Sequence, residues 1–200
     1  MRWSPTTRRY RDGVTRIISG RAGGTVLDVP PAGTRPTSDR ARESLFSALE
    51  SADTVARARV VDLYAGSGAL GLEALSRGAA SVDLVELNGR AAAIAERNAA
   101  RVAKALGADA AVRVHRSTVA AFLARAAGPF DLVLLDPPYE LGETELAAAL
   151  TALAPLLAPG GVVVIERASR SPEPALPPGL AVSRSKRYGD TTMWWASATA

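Results

Sequence analysis

The chain contains no cysteine, which excludes a disulfide framework, a thiolate-held zinc or iron–sulfur centre and a thiol nucleophile. It has a single histidine, His115, so a histidine metal cluster or a histidine-based triad is not expected, and no metal is assigned. No apolar run approaches the length of a membrane span, and residues 1–20 lack the apolar segment of a secretion signal. A cytoplasmic protein with no membrane partner is the expectation. What is present is a hydrophobic content of 48% in 200 residues, enough for one generous domain or one domain with an arm. Charge is unevenly placed. Residues 1–42 carry nine arginines against three aspartates, a net of +6, whereas the remainder carries 15 basic and 17 acidic residues, a net of −2. Basicity is an N-terminal property, either a solvated tail or a footprint for a polyanion.

Residues 1–15 read as a flexible basic extension. From there "TRIISGRAGGTVLDVP" suggests two short strands around a glycine turn, and residues 16–37 form a hairpin and loop. "SDRARESLFSAL" gives an amphipathic helix with Leu45, Phe46 and Leu49 on its apolar face and Ser38 or Asp39 as N-cap. Beyond it strand and helix alternate five times, and the strands are continuous apolar runs. That pattern predicts a mostly parallel, doubly wound α/β sheet with helices on both faces, closed by antiparallel strands at the C-terminal edge. A domain over residues 38–200 follows. Ligands of such sheets bind outside the carboxyl ends of the strands, where the winding reverses. The residues ending each strand are therefore the candidates: Asp62 to Gly68, Glu86, the Arg116–Thr118 corner, and Asp136 to Tyr139.

"GSGALG", Gly66 to Gly71, is a literal G-x-G-x-x-G between a strand and a helix, with Glu86 twenty residues beyond Gly66. In form this is a dinucleotide fingerprint, so a nicotinamide- or flavin-dependent oxidoreductase is one reading. Asp62 opposes it. An acid at the strand tip repels a diphosphate seeking the helix N-terminus, but suits a ligand with ammonium and sulfonium groups and no phosphate. S-adenosyl-L-methionine is such a ligand, and Glu86 can accept both ribose hydroxyls.

"VVDLYAGSGALGLEALSRGA" followed by "LVEL" and "DPPY" resembles the class I S-adenosylmethionine-dependent methyltransferases. With "RIISG" and "TRPTSDRARESLF" upstream and "YGDT" near the end, the chain resembles the RsmD family across Arg16 to Trp195. That family methylates the exocyclic N2 of one guanine in 16S ribosomal RNA. The resemblance implies a Rossmann-like fold and a donor site built from Asp62, Tyr64, Ala65, Gly66, Gly68, Glu86, Leu87, Thr118, Val119 and Asp136. It also implies 16S rRNA or a small ribosomal subunit particle as partner, a monomer, and an RNA-facing set of Arg16, Arg21, Arg35, Thr37 and Arg40. One departure stands out. The corner after the third core strand, where an acid or amide often meets adenine, reads Arg116–Ser117–Thr118, leaving the Thr118 hydroxyl and the Val119 backbone to serve.

"DPPY" ends a buried strand with an acid and two prolines, which a turn alone does not require. An exocyclic amine is a poor nucleophile because its lone pair is delocalised into the ring. Two acceptors aimed at its N–H bonds, the Asp136 carboxylate and the Pro137 carbonyl, favour a pyramidal nitrogen and stabilise the developing charge. Pro137 and Pro138 fix the backbone, and Tyr139 can stack on a base turned out of its helix. Relatives with similar corners methylate adenine N6 or other amines, so that reading stays open beside guanine N2. The oxidoreductase and a non-enzymatic RNA-binding module stand further off. The basic face of the long helix, Arg90, Arg97, Arg101 and Lys104, reads as solvated, and His115 as a strand residue without chemistry.

Overall fold

A computed structural model describes residues 14–30, 39–107 and 110–199. Of the flexible extension expected over residues 1–15, residues 1–13 lie outside these described residues, as does the loop at 31–38 with Arg35 and Thr37, whereas Val14 and Thr15 are paired in a strand and do not belong to an extension.

Seven strands form the central sheet: β3 (Arg59–Leu63), β4 (Ser81–Glu86), β5 (Ala111–Arg116), β6 (Phe130–Leu135), β7 (Leu157–Ala168), β8 (Leu180–Tyr188) and β9 (Thr191–Ala198). Their order is β5-β4-β3-β6-β7-β9-β8, parallel from β5 to β7, with β9 antiparallel to both of its neighbours. The two central strands β3 and β6 are buried on both faces over nearly their whole length, which is why their sequences read as unbroken apolar runs. The winding reverses between them. The sequence places antiparallel strands at the C-terminal edge, but not the swap in their order: β9, the last strand, inserts between β7 and β8. Side-chain chemistry explains it. Met193, Trp195 and Ala196 of β9 are buried, whereas β8 carries Arg184, Ser185, Lys186 and Arg187 exposed and can only be an edge.

Two clusters cover the sheet. On one face pack α1 (Asp39–Ser51), α2 (Ala69–Ser76), α3 (Gly89–Leu106) and the antiparallel pair β1 (Val14–Arg16) and β2 (Val26–Asp28). On the other pack α4 (Val119–Leu123) and α5 (Glu143–Leu153). Leu45, Phe46 and Leu49 of α1 are buried, matching the apolar stripe of its sequence.

The β1–β2 segment is fastened by buried polar groups. Glu73 of α2, fully buried, accepts the Ile18 amide at 2.7 Å and the Ser19 amide at 3.0 Å, and pairs with Arg77 at 2.7 Å. Arg42 of α1, also buried, donates to the Arg16 carbonyl at 2.6 Å and to Asp39 at 3.1 Å. Asn98 of α3 accepts from the Asp28 amide and donates to the Asp28 carbonyl, each at 2.9 Å. Arg101, on the helix face that the sequence presents as solvated, donates to the Val26 carbonyl at 2.7 Å.

Truncating Glu73 strands two backbone amides and takes one of two close carboxylate partners from the buried Arg77 guanidinium, leaving Glu50 at 2.6 Å. We expect Glu73→Ala to lower folding stability by about 3–5 kcal/mol, the cost of breaking a buried ion pair. Guanidinium denaturation checks this, and a loss below about 1 kcal/mol, the size of an exposed pair, would contradict the anchoring role.

Candidate functional site

The strand tips converge where β3 and β6 lie side by side. Leu63 pairs with Leu135, so the next residues, Tyr64 and Asp136, leave the sheet as neighbours. After β3 the chain enters the glycine loop. Gly66 has φ 55° and Gly68 φ 82°, left-handed values that favour glycine. Gly71 is there for packing: a Cβ would stand 2.4 Å from a Leu84 methyl and 2.9 Å from a Val82 methyl, so α2 could not approach the sheet. A Cβ on Gly66 would meet nothing within 4 Å, which leaves open space above the loop. Tyr64, a non-glycine residue at φ 69°, is half-buried and packs with the cluster that includes Leu141 and Trp194. Burial, then the Glu145 charge, push its phenol pKa up, offset by Arg167. Ala65 is buried, and its amide donates to the Val85 carbonyl at 2.9 Å.

Two carboxylates hold this loop. Asp62, 1% exposed, accepts the Gly71 amide through Oδ2 at 2.9 Å and so caps α2 from the sheet. Its Oδ1 is buried without a hydrogen-bond partner among the described residues. Burial raises the Asp62 pKa to about 7, with the Gly71 bond lowering it and the Glu86 charge adding to the rise. Glu86, half-buried at the end of β4, accepts the Gly66 amide through Oε2 at 2.8 Å and the Asn88 amide through Oε1 at 2.7 Å. A carboxylate offers about four lone-pair sites, so Glu86 keeps capacity for a hydroxyl pair. Leu87 beside it is 62% exposed, an apolar surface at the strand tip.

The corner after β5 uses its hydroxyl structurally. Thr118 is the N-cap of α4, accepting the Ala121 amide at 3.1 Å, while Val119 is buried. The Ser117 amide reaches the Glu86 carbonyl at 3.3 Å, which draws this corner toward β4. After β6, Asp136 is half-buried, Pro137 buried, and Pro138 and Tyr139 exposed, the latter to 57%. The Pro138 carbonyl accepts the Leu141 amide at 2.9 Å, closing a tight turn. Sequence reasoning missed the support of this turn. Arg167, buried at the end of β7, donates to the Leu141 carbonyl at 3.2 Å and to Glu143 at the start of α5. A basic residue ending an apolar strand, "VVVIER", was the only signal available.

The basic candidates separate. Arg40 is exposed at the start of α1, and Arg16 is exposed near it, its carbonyl held by Arg42. Arg21 donates to the Leu106 carbonyl at 2.9 Å, at the end of α3, and so sits at the edge of the sheet opposite the glycine loop. His115 pairs with Asp83 at 2.7 Å across β4–β5, one residue before the end of β5. Among the described residues no cluster of His, Cys, Asp and Glu could hold a metal, and no helix is long and apolar enough to cross a membrane.

S-adenosylmethionine fits these residues. The unpartnered Asp62 oxygen matches its ammonium, the Glu86 carboxylate its ribose diol, and the open space at Gly66 its approach. The fold, with an acid at the tip of β3, a glycine loop and an acid at the tip of β4, is that of a class I methyltransferase. Sequence comparison narrows this. The family described as conserved hypothetical protein 95 matches residues 15–197. Ribosomal RNA small subunit methyltransferase D of Escherichia coli K12 is 36% identical over 178 residues, 88% of this chain and 86% of that protein. Its namesake in Haemophilus influenzae is 34% identical over 162 residues, 80% of this chain and 82% of the other. The solved structure of yhhF from Escherichia coli superposes with a TM-score of 0.80 at 32% identity, covering 93% of this chain and 98% of that one. The chain belongs to this family, RsmD.

Asp62 carries a pH signature. An acid whose folded pKa rises from 3.8 to about 7 destabilises the unliganded protein as pH climbs through that window. A cationic ligand requires the ionised form, so its affinity moves the opposite way. From pH 5.5 to 7 the donor's own α-amino group stays protonated, and we expect S-adenosylmethionine affinity to rise about tenfold by calorimetry. Asp62→Asn should flatten the profile; a flat profile in the unsubstituted protein would contradict the Asp62 assignment.

Proposed function

We propose that this protein is an S-adenosylmethionine-dependent methyltransferase that methylates the exocyclic N2 of a guanine in 16S ribosomal RNA. It acts as a monomer in the cytoplasm, on the RNA or on a small-subunit particle. The observation that carries this reading is the junction of β3 and β6, where Asp62 with its glycine loop and the Asp136–Tyr139 corner meet at one reversal of winding. Relatives named ribosomal RNA small subunit methyltransferase D support the polymer and the subunit.

The donor, when bound, supplies a methyl carbon made electrophilic by a sulfonium. Asp62 faces its ammonium and Glu86 its ribose, with Tyr64, Ala65, Gly66, Gly68 and Leu87 shaping the pocket floor and Val119 and Thr118 the adenine side. At the acceptor end the Asp136 carboxylate and the Pro137 carbonyl accept the two N–H bonds of the amine. This turns the nitrogen lone pair outward and disperses the charge that grows on nitrogen. Tyr139, largely exposed, offers a ring on which the extruded guanine stacks, and Pro138 keeps the turn rigid. The N-terminal hairpin, with Arg16, and the start of α1, with Arg40, face the RNA. Residues 38–200 are the catalytic domain, and the residues ahead of β1 are a basic arm.

Base identity is tested by substitution in the RNA. Inosine keeps the six-position edge and the imidazole of guanine but lacks the 2-amino nitrogen, so inosine at the target is expected to abolish methyl incorporation. RNA affinity should fall much less, because phosphate contacts supply most of it. Adenine at that site should also fail. Methyl transfer to inosine would sink the N2 assignment, and efficient transfer to adenine would favour an adenine-N6 enzyme.

A further inference from the structure

The side of the molecule between α1 and the edge strand β8 carries a feature that the donor and acceptor residues do not use. An open cleft of about 510 Å³ lies there, lined by Arg40, Glu43, Ser44 and Ser47 from α1 and by Arg184 and Lys186 from β8. Three cations face one acid, and that acid is engaged: the Glu43 carboxylate lies 3.7 Å from Arg77. The cations are exposed, yet they are held in place. The Arg184 guanidinium sits 4.9 Å from the centre of the Trp195 ring, and the Lys186 ammonium 5.0 Å from that of Tyr188. Lys186 also donates to the Ser44 hydroxyl at 3.1 Å, which is 2.8 Å from the Tyr188 hydroxyl.

The backbone is arranged to present them. Val182 pairs with Ala196 but Arg184 pairs with Trp195, so Ser183 is an extra residue in the strand. Without that bulge Ser183 would stand opposite Trp195, and Arg184 and Lys186 would point to the other face. The bulge turns both onto the face that α1 shares. β8 then runs toward the strand tips: the turn after it is tied to the end of β7, where the Asp190 carbonyl accepts the Ser169 amide at 2.7 Å. Arg167, which holds the turn after Asp136, lies two residues before Ser169. The α1–β8 cleft and the acceptor corner therefore open on one edge of the sheet.

We propose that this cleft is a phosphate track for the RNA flanking the target nucleotide, with Arg184, Lys186 and Arg40 as the cations and the α1 serine hydroxyls as donors to phosphate oxygens. The proposal rests on the RNA-methyltransferase reading and extends it to the edge strand β8, separated in the sheet from β6 by β7 and β9. Charge complementarity selects the occupant: three cations against one acid, with hydroxyl donors beside them, fit a polyanionic backbone and disfavour an acidic-rimmed apolar partner.

The test uses the full chain with a 16S ribosomal RNA transcript and, in parallel, a small-subunit particle carrying unmethylated RNA. Arg184→Gln with Lys186→Gln removes two charges while keeping the aliphatic stems over Trp195 and Tyr188. RNA affinity is read by fluorescence anisotropy from low to moderate salt, beside S-adenosylmethionine affinity and steady-state methyl transfer. The dependence of log affinity on log salt should become shallower by about 1.4–1.8, two phosphates' worth for single-stranded or duplex RNA. KM for RNA should rise about tenfold, with kcat and donor affinity unchanged. The charge-conserving pair Arg184→Lys and Lys186→Arg should keep the original slope. An unchanged slope and KM in the glutamine pair, with methyl transfer to RNA intact in the unsubstituted protein, would overturn the track alone. The cations would then serve only to guard an edge strand against pairing with another chain. A fall in kcat with unchanged KM would also overturn it. Absence of transfer by the unsubstituted protein to both the transcript and the small-subunit particle would remove the track and the function beneath it together.

Discussion

The strand-tip site depends on two carboxylates that each hold part of the glycine loop. Glu86 takes the Gly66 amide and Asp62 the Gly71 amide, at 2.8 and 2.9 Å. A hydrogen bond to a charged acceptor contributes about 1.5–3 kcal/mol, enough to fix a loop whose glycines would otherwise be free to move. The arrangement has a cost. Burial first, and the Glu86 charge beside it second, push the Asp62 carboxyl pKa up to about 7. One Asp62 oxygen is left buried without a hydrogen-bond partner among the described residues, and it is there that the proposed donor's ammonium would sit. Structure and ligand preference therefore come from the same pair of side chains.

The same economy joins the N-terminal hairpin to the site. Asn98 bonds Asp28 of β2 through both amide and carbonyl, and its remaining N–H reaches the Ser67 carbonyl of the glycine loop at 2.9 Å. One buried amide thus ties the segment proposed to face RNA to the loop proposed to cradle the donor. Glu73 and Arg42 anchor the rest of the hairpin from α2 and α1. On the opposite side Arg167 fixes the Asp136 turn to α5. Both substrate-facing parts are braced by polar groups taken out of water, a rigidity well suited to a reaction whose chemistry is mostly orientation.

Much of this was legible because it is local. The glycine spacing, the acid twenty residues on, the apolar runs of β3 and β6 and the amphipathic stripe of α1 are patterns within a dozen or two residues, and each element formed where its pattern lay. The proline pair after Asp136 was legible for the same reason. What escaped was nonlocal. Nothing in "LAVSRSKRYGD" states that β9 will slip between β7 and β8, or that an extra residue at Ser183 will turn two cations onto the α1 face. Arg101 reads as a solvated helix residue and Arg21 as one of the RNA-facing arginines, yet each finds a backbone carbonyl more than seventy residues away. The Thr118 hydroxyl, proposed for the adenine side, also caps α4, a second role its sequence does not announce. Polar side chains are the hardest to read, since one arginine can be a surface charge or an internal brace, and only the fold decides.

The central claim is a division of labour along the sheet edge: Asp62 and Glu86 serve the donor, and Asp136 serves the amine. Its most direct measurement is single-turnover methyl transfer by Asp136→Ala, taken together with S-adenosylmethionine affinity by calorimetry in the same preparation. The account expects the rate to fall by about 10³-fold or more, the scale of losing a transition-state acceptor, with donor affinity within about threefold of the original. Equal loss of rate and donor affinity would contradict it, because Asp136 would then be part of the donor site and the amine would be oriented by other groups.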